Sequence, residues 1–339
     1  MIASPHPKPV VDSPTIPAVS VRGLTKNYGA IEAVRGIDFE VATGETFGFL
    51  GPNGAGKSTT IKILCTLTPP TGGVVRVVGH DVVAEQDEVR RHIGLVFQDT
   101  TLDDFLTAEQ NLRFHAELYG LPKAVIAPRL DQVFRMVGLQ DRRASRVGTF
   151  SGGMKRRLEI ARGLLHSPRV LFLDEPTAGL DPQTRSSIWG YIHELKRREA
   201  ITIFLTTHYM EEAEYCDRIA NIDQGRLVAL DTPEALKAGV GKDVVQIRTD
   251  DDPAALTALR ERFGVEPSLH EGAIRFAVAE GERFIPRLFA ELAIPIRSVS
   301  VARPSLDDVF MSFTGTTIRD AEISAAEKLR NHPMARRRS

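Results

Sequence analysis

The fold of this 339-residue chain is decided by one stretch, Gly51-Pro52-Asn53-Gly54-Ala55-Gly56-Lys57-Ser58, which satisfies the pattern G-x-x-x-x-G-K-[ST]. The stretch follows an apolar strand-like run, Phe47 to Leu50, and opens a plausible helix, Lys57 to Leu67. Glycines let backbone N–H groups turn inward around phosphates, and the positive end of the helix dipole points at them. Lys57 offers a charge to the outer phosphates, the Ser58 hydroxyl can ligate Mg²⁺, and Thr59 follows in the same site. The stretch therefore predicts a P-loop nucleotide site.

A second element, Arg169-Val170-Leu171-Phe172-Leu173-Asp174-Glu175, is an apolar strand that ends in two acids. In P-loop enzymes an acid at such a strand end holds the metal, so Asp174 is the candidate metal ligand. Glu175 then stands beside the γ-phosphate, where a carboxylate can orient or deprotonate the attacking water. The alternative is that the two acids only cap the next helix.

Composition excludes several classes of protein. The chain is 42% hydrophobic and 26% charged, and 43 Lys and Arg against 44 Asp and Glu leave a net charge of −1, which argues against a nucleic-acid partner. The longest stretch without a charged residue, Ile63 to Val75, is shorter than the roughly 20 residues of a spanning helix. Two cysteines, Cys65 and Cys216, are too few for a disulfide framework. We expect a cytosolic protein of about two domains.

Short apolar runs alternate with amphipathic segments along most of the chain, which predicts a layered α/β domain over residues 19–237. A helical insert is predicted at about residues 100–150, formed by two helices at Thr107–Tyr119 and Ala124–Val137. Residues 1–18 and 316–339 are predicted to be flexible tails. The basic end of the second tail, Arg336-Arg337-Arg338, could also bind phosphate or lipid. The predicted strands of the α/β domain are Glu45–Leu50, Gly94–Phe97, Val170–Leu173, Ile201–Thr206 and Arg218–Ile222.

A second, smaller α+β domain is predicted over residues 243–315, after a Gly-rich joint at Ala238-Gly239-Val240-Gly241. Its element order is strand, helix, strand, strand, helix, strand, which is the order of a ferredoxin-like domain. The elements are Val244–Ile247, Pro253–Phe263, Val265–Ser268, Ala273–Val278, Glu282–Leu292 and Ile294–Val301.

Between the P-loop and the acidic strand lies Phe150-Ser151-Gly152-Gly153-Met154-Lys155-Arg156-Arg157-Leu158, which resembles the signature motif of ATP-binding-cassette (ABC) ATPases. The resemblance covers roughly Val19 to Leu236, and its motifs follow the family's order. Tyr28 matches the aromatic residue that stacks on adenine, and Gln98 the glutamine that senses the metal. Asp181 matches the family's D-loop, and His208 its switch histidine. One departure is that Phe150 and Met154 replace the first and last residues of the usual Leu-Ser-Gly-Gly-Gln, while the phosphate-facing Ser and Gly residues remain.

The resemblance implies a mechanism in which two cassettes meet head to tail around ATP and Mg²⁺. One chain has one P-loop and one signature, so we expect it to pair with an identical copy or a homologue. Ser151, Gly152 and Gly153 would then stabilise the γ-phosphate across the dimer. Glu175 would position water, while His208 and Lys57 would stabilise the charge of the transferring group. We therefore predict an active ATPase.

The chain is expected to serve a separate integral-membrane permease at the cytoplasmic face of the cell membrane, because it carries no membrane pathway of its own. Two alternatives stay open: a soluble ABC protein that acts on DNA or ribosomes, and a cassette that protects by sequestering a toxic ligand. The 52 residues between Gln98 and Ser151 (151 − 98 − 1) leave room for a compact insert but no heptad run for a long coiled coil. This favours the transport cassette.

The segment Arg303-Pro304-Ser305-Leu306-Asp307-Asp308-Val309-Phe310 resembles the C-terminal motif of the drug-efflux ATPases of the daunorubicin/doxorubicin-resistance (DrrA) type. This resemblance implies export of a drug, antibiotic or lipid-like molecule, and a dimer-stabilising or regulatory second domain. A simpler interpretation is that Leu306, Val309 and Phe310 pack a terminal helix at i, i+3, i+4 spacing. Both interpretations are compatible, and the sequence does not identify the cargo.

Overall fold

The computed structural model describes residues 16–199, 201–270 and 272–314. The predicted tails therefore lie almost wholly outside the described residues. Within these residues the chain divides into two units, one made of residues 16–50, 54–207 and 224–227, the other of 51–53, 208–223 and 228–314. This division differs from a simple cut of the chain near residue 240, and the predicted domain boundaries stay a prediction.

Residues 19–207 form eight strands and six helices, with two 3₁₀ turns at Gln140–Arg142 and Val147–Thr149. In chain order these are β1 (Val19–Tyr28), β2 (Ile31–Val41), β3 (Thr46–Leu50), α1 (Lys57–Leu64), β4 (Gly72–Val77), β5 (His80–Asp81), α2 (Gln86–His92), β6 (Ile93–Val96), α3 (Ala108–Leu118), α4 (Lys123–Val137), α5 (Gly152–Gly163), β7 (Val170–Asp174), α6 (Pro182–Glu199) and β8 (Thr202–Thr207).

The rest of the chain adds the following elements: α7 (Met210–Ala213), β9 (Arg218–Asp223), β10 (Arg226–Asp231), α8 (Pro233–Val240), β11 (Asp243–Thr249), α9 (Asp252–Phe263), β12 (Ser268–His270), β13 (Ala273–Val278), α10 (Gly281–Glu291), β14 (Ile296–Ala302) and α11 (Leu306–Thr314).

A parallel sheet in the order β3-β8-β7-β6 forms the centre of the first unit. Every residue of β3, β7 and β8 is buried, as expected for parallel strands covered on both faces, and this explains the apolar run of β7. Phe204 is at the centre of this core, with its ring centroid 5.5–5.6 Å from those of Phe47, Phe49 and Phe172. Register pairs Leu50 with Thr207, so the strand ends that carry the site residues meet at one edge of the sheet.

An antiparallel sheet, β2-β1-β4-β5, and the helical insert complete the first unit. The predicted insert helices are confirmed as α3 and α4. α3 begins with a capping box, in which Thr107 accepts from the backbone N–H of Gln110 and the Gln110 side chain accepts from that of Thr107. The predicted strands of the parallel sheet are confirmed, whereas the antiparallel sheet was not predicted.

The C-terminal elements β11 to β14 form an antiparallel sheet in the order β12-β13-β11-β14, with the helices α9 and α10 in between along the chain. This βαββαβ order is the predicted ferredoxin-like order. Two details were wrong. The third element begins at Ser268 rather than Val265, since Pro267 just before it cannot donate a ladder hydrogen bond. The Gly-rich joint predicted at Ala238–Gly241 is instead the last turn of α8 together with its C-cap, Gly241. α11 packs against α8, and Leu306, Val309 and Phe310 are buried, as the spacing predicted.

Candidate active site

The P-loop connects β3 to α1, and its conformation depends on glycine. Gly54 and Gly56 have φ of 83° and 111°, a region that L side chains rarely adopt. Gly56 is the N-cap of α1, and no side chain among the described residues caps this helix end. The first turn of α1 also carries no acid. The uncapped, acid-free N-terminus suits a phosphate group, because it presents backbone N–H donors and the positive end of the helix dipole.

Lys57 and Glu175 form a buried ion pair at this edge of the sheet. Lys57 Nζ lies 3.6 Å from Glu175 Oε1, and the two side chains are only 4% and 7% exposed. Isolated buried charges are strongly unfavourable, so each group stabilises the other in its charged form. The cation predicted to bind the outer phosphates and the carboxylate predicted to orient water are therefore adjacent in the folded chain.

The backbone of Glu175 is held in a conformation unusual for a non-glycine residue, with φ of 45°. Its N–H donates to Thr206 Oγ1 at 3.1 Å and to the Thr206 carbonyl oxygen at 3.2 Å. Such a conformation persists only where the surroundings enforce it, and it is common at functional sites. Here β8 enforces it, because Thr206 is the register partner of the residue just before Glu175.

Asp174 accepts two hydroxyl hydrogen bonds. Thr206 Oγ1 donates to Asp174 Oδ1 at 2.5 Å, and Ser58 Oγ donates to the same oxygen at 3.4 Å. A carboxylate beside a serine hydroxyl is the all-oxygen ligand set that Mg²⁺ prefers. Ser58 and Asp174 therefore fit a Mg²⁺ ion with the remaining positions left for water and phosphate oxygens.

Gln98 follows β6, and Arg156 of α5 contacts the residue just before it. The Arg156 guanidinium donates to the carbonyl oxygens of Phe97, Asp174 (3.1 Å) and Pro176 (2.5 Å). One buried side chain thus joins the signature helix to the residues that flank Gln98 and Glu175. An open pocket beside this arginine is lined by Gln98, Gly152 and Pro176.

The signature residues form the N-terminus of α5. Ser151 is the N-cap, and its Oγ accepts from the backbone N–H of Met154 at 3.3 Å. Ser151 and Gly152 are exposed. A Cβ on Gly153 would lie 2.5 Å from the Thr184 methyl group of α6, so the close packing of these two helices requires glycine here. The motif therefore presents an exposed helix N-terminus that can receive an anion.

Asp181 and Tyr28, two further predicted site residues, have the following contacts. Asp181 caps α6, since its carboxylate accepts from the N–H (3.0 Å) and hydroxyl (2.6 Å) of Thr184, and these bonds lower its pKa. Tyr28 ends β1 with 48% of its surface exposed, and Lys26 Nζ lies 4.9 Å from its ring centroid. His208 and the loop residues 51–53 belong to the second unit. The nucleotide contacts of all these residues stay predictions.

Two residues that shape the site were not predicted. The sequence could have indicated Thr206, because it lies at the end of a predicted strand and residues at the carboxyl ends of adjacent parallel strands meet. No such signal pointed to Arg156. Its sequence neighbours Lys155 and Arg157 are also basic, and only the tertiary structure reveals which of the three is buried.

Comparisons with known proteins agree with this geometry. The family model "ABC transporter" matches residues 34–178, and the model of the DrrA1-3-like ATP-binding protein C-terminal domain matches residues 232–314. The daunorubicin/doxorubicin resistance ATP-binding protein DrrA of Streptomyces peucetius is 40% identical, with 91% of this chain and 96% of that protein covered. The linearmycin resistance ATP-binding protein LnrL of Bacillus subtilis is 38% identical, with coverage of 89% and 100%.

Among solved structures, a dimeric ATP-binding cassette in a post-hydrolysis state, bound to ADP and phosphate, superposes with a TM-score of 0.57. It is 27% identical, with 63% of this chain and 98% of that chain covered. The chain therefore belongs to the ATP-binding subunits of ABC transporters, in the branch of the daunorubicin/doxorubicin-resistance ATP-binding proteins, and is an ATPase.

Proposed function

We propose that this chain is the ATP-hydrolysing subunit of an exporter, that it works as a dimer of cassettes, and that it drives a separate membrane permease from the cytoplasmic face of the membrane. The observation that carries the proposal is the buried Lys57–Glu175 pair beside the Ser58–Asp174 contact. Phosphoryl transfer to water needs three parts: a lysine that binds the phosphates, a carboxylate that orients the water, and two oxygen ligands for Mg²⁺.

In the proposed reaction, ATP binds on the P-loop and the adenine stacks on the exposed face of Tyr28. Ser58, Asp174 and Gln98 would hold Mg²⁺, which would supply positive charge beside the phosphates. Glu175 orients the attacking water in line with the γ-phosphate, and Lys57 with His208 stabilises the transferring group. The helix N-terminus at Ser151 and Gly153 completes the site of a second copy, and Asp181 lies at the same interface.

Two observations support the dimer and the permease. The signature residues Ser151 and Gly152 are exposed rather than packed within the chain, as expected of a surface that meets another subunit. No helix within residues 16–199, 201–270 and 272–314 is long and apolar enough to cross a membrane. The resistance named in DrrA and LnrL supports a hydrophobic drug, antibiotic or lipid-like molecule as cargo.

The catalytic part is tested with Glu175→Gln, which keeps the side-chain size and removes the charge. We expect ATP binding to persist while turnover falls at least about tenfold, because the water-orienting carboxylate is lost. With ATP and Mg²⁺ the variant should elute as a dimer in size-exclusion chromatography, since it closes without hydrolysing. Glu194→Gln on the surface of α6 is the matched control. Wild-type turnover in Glu175→Gln would reassign the base.

The transport part is tested by mild-detergent purification of the tagged chain from membranes at native expression level, followed by mass spectrometry. Co-purification of a multi-span permease is the expected result. Recovery of only ribosomal or DNA-bound partners, with ATPase activity intact, would favour a soluble ABC protein and contradict the exporter.

A further inference from the structure

We propose that the β5–α2 segment of this chain is a binding site for one divalent transition-metal ion, formed by His80, Glu88 and His92. One ligand atom of each of these side chains lies within 4.8 Å of the others. Two imidazoles and one carboxylate are a ligand set that Zn²⁺ uses, with a fourth position left for water. The site is separate from the P-loop, and it differs in kind from a Mg²⁺ site, which is built from oxygen ligands.

The two imidazole rings are stacked against each other. Their centroids are 5.5 Å apart and their planes differ by 18°. His80 comes from the short strand β5, whereas Glu88 and His92 are four residues apart on α2 and therefore face the same side of the helix. A bound ion would join the edge strand of the antiparallel sheet to the last turn of α2.

The hydrogen bonds of the two histidines engage Nδ1 of each ring and leave Nε2 as the atom that could bind a metal. His80 Nδ1 lies 3.1 Å from Glu85 Oε1, and His92 Nδ1 lies 2.8 Å from the backbone carbonyl oxygen of Glu88. Carboxylate and carbonyl oxygens only accept, so both Nδ1 atoms carry the hydrogen. In each neutral ring the lone pair is then on Nε2. Metal-binding histidines in proteins characteristically donate their other N–H in this way.

Glu85 has a defined supporting role in this arrangement. Its second carboxylate oxygen accepts from the backbone N–H of Asp81 at 2.9 Å, which fixes the carboxylate next to His80. The competing interaction is the ion pair of Glu88 Oε1 with Arg91, at 2.5 Å on the exposed side of α2. A carboxylate has two oxygens, so Glu88 can keep this pair and still offer one ligand atom.

The test uses the full-length chain without an affinity tag, stripped with EDTA and free of nucleotide. Zn²⁺ is titrated by isothermal calorimetry, and Co²⁺ is titrated while visible absorption reports the ligand field. We expect saturation at one equivalent. His80→Ala and His92→Ala should each weaken Zn²⁺ binding at least about tenfold, and Glu85→Ala by about 10- to 100-fold through the lost support of His80. His115→Ala on α3 is the matched control and should bind as wild type.

Thermal melting separates loss of the site from loss of the fold. Zn²⁺ should raise the melting temperature of the wild type and of His115→Ala, because the ion is expected to bind the folded chain more tightly than the unfolded chain, and should raise that of His80→Ala clearly less. In EDTA all variants should melt close to the wild type. Asp174→Asn should retain the Zn²⁺ equivalent, which places the site away from the P-loop. Absence of saturable binding in the wild type, or wild-type affinity in both His80→Ala and His92→Ala, would overturn the proposal.

Discussion

The guanidinium of Arg156 donates a hydrogen bond to the backbone carbonyl oxygen of Phe97, the residue just before Gln98. The same group also donates to the carbonyl oxygens of Asp174 and Pro176, on either side of Glu175. Arginine suits this position because its planar fork carries five donors in fixed directions. The signature helix is therefore joined through one buried cation to the segment before Gln98, a predicted metal ligand, and to the residues on either side of Glu175, the predicted catalytic carboxylate.

Replacing Arg156 with lysine should impair both stability and turnover. A lysine keeps the charge but cannot reach three carbonyls in fixed directions, so buried acceptors lose their donors. Each unsatisfied group costs about 1–3 kcal/mol. We expect urea unfolding to show a loss of that order, and ATPase turnover to fall more than ATP affinity, because Gln98 and Glu175 lose their alignment. Arg157→Lys is the matched control. Equal effects in the two variants would mean that the basic character of the helix matters rather than the carbonyl contacts.

The Thr206 hydroxyl should determine how well Asp174 holds Mg²⁺. Thr206→Val keeps the shape of the side chain but removes the donor to Asp174 and the acceptor of the Glu175 N–H. Loss of such a supporting contact typically weakens metal binding about 10- to 100-fold. We expect the Mg²⁺ concentration for half-maximal ATPase to rise by that factor, and Thr206→Ser to restore it. A wild-type Mg²⁺ dependence in Thr206→Val would assign the hydroxyl a purely structural role.

The parallel sheet and the P-loop were predictable because their signals are local. A strand buried on both faces is a continuous apolar run, as in β7, and the nucleotide loop has a fixed spacing of glycines and lysine. The packing of α11 was predictable for a similar reason, since residues three and four apart share one face of a helix. In each case the decisive residues are close together in the sequence.

The rest depends on contacts between distant residues. β1 has the register shifts of an irregular strand, and Gly23 within it takes a positive φ, so its alternation is broken in the sequence. The burial of Arg156 follows from the carbonyls of Phe97, just after β6, and of Asp174 in β7, more than 15 residues away along the chain. The strand predicted at Val265–Ser268 was misplaced because Val265 lies in the connection between α9 and β12, and β12 begins only at Ser268, after Pro267.

The helical insert should lose stability at low pH through Glu109. Hydrogen bonds from Arg143 and Arg113 lower the pKa of this carboxyl. The stability that the charged carboxylate adds to the folded chain is therefore complete above the unfolded-state pKa, about 4.3, and is lost as the pH falls through the lower folded-state pKa. Glu109→Gln should therefore cost about 0.2–1 kcal/mol at pH 7, the range of partly exposed ion pairs, and less at pH 3. Denaturant unfolding at both pH values measures this. Glu117→Gln, exposed on the same helix, is the control and should lower the free energy of unfolding less at pH 7. If Glu109→Gln lowers the free energy of unfolding equally at both pH values, the ion pairs are not the cause.

Gly153 combines a packing role with a proposed role at the nucleotide, and a pair of substitutions can separate the two. Gly153→Ala places a methyl group 2.5 Å from the Thr184 methyl, an overlap that should cost about 1–3 kcal/mol of stability. Thr184→Ser removes that methyl and keeps the hydroxyl bonded to Asp181, so the double variant should regain most of the lost stability.

In the double variant ATPase activity should not return together with stability. The methyl group added at position 153 still lies at the helix N-terminus that is proposed to receive the γ-phosphate of the partner's ATP. Urea unfolding and steady-state turnover, measured on both single variants and the double variant, distinguish these effects. Thr184→Ser alone is the control and should behave as wild type in both assays. Full recovery of turnover together with stability would show that glycine is needed at position 153 only for the approach of α5 to α6, and the phosphate contact would then rest on Ser151 alone.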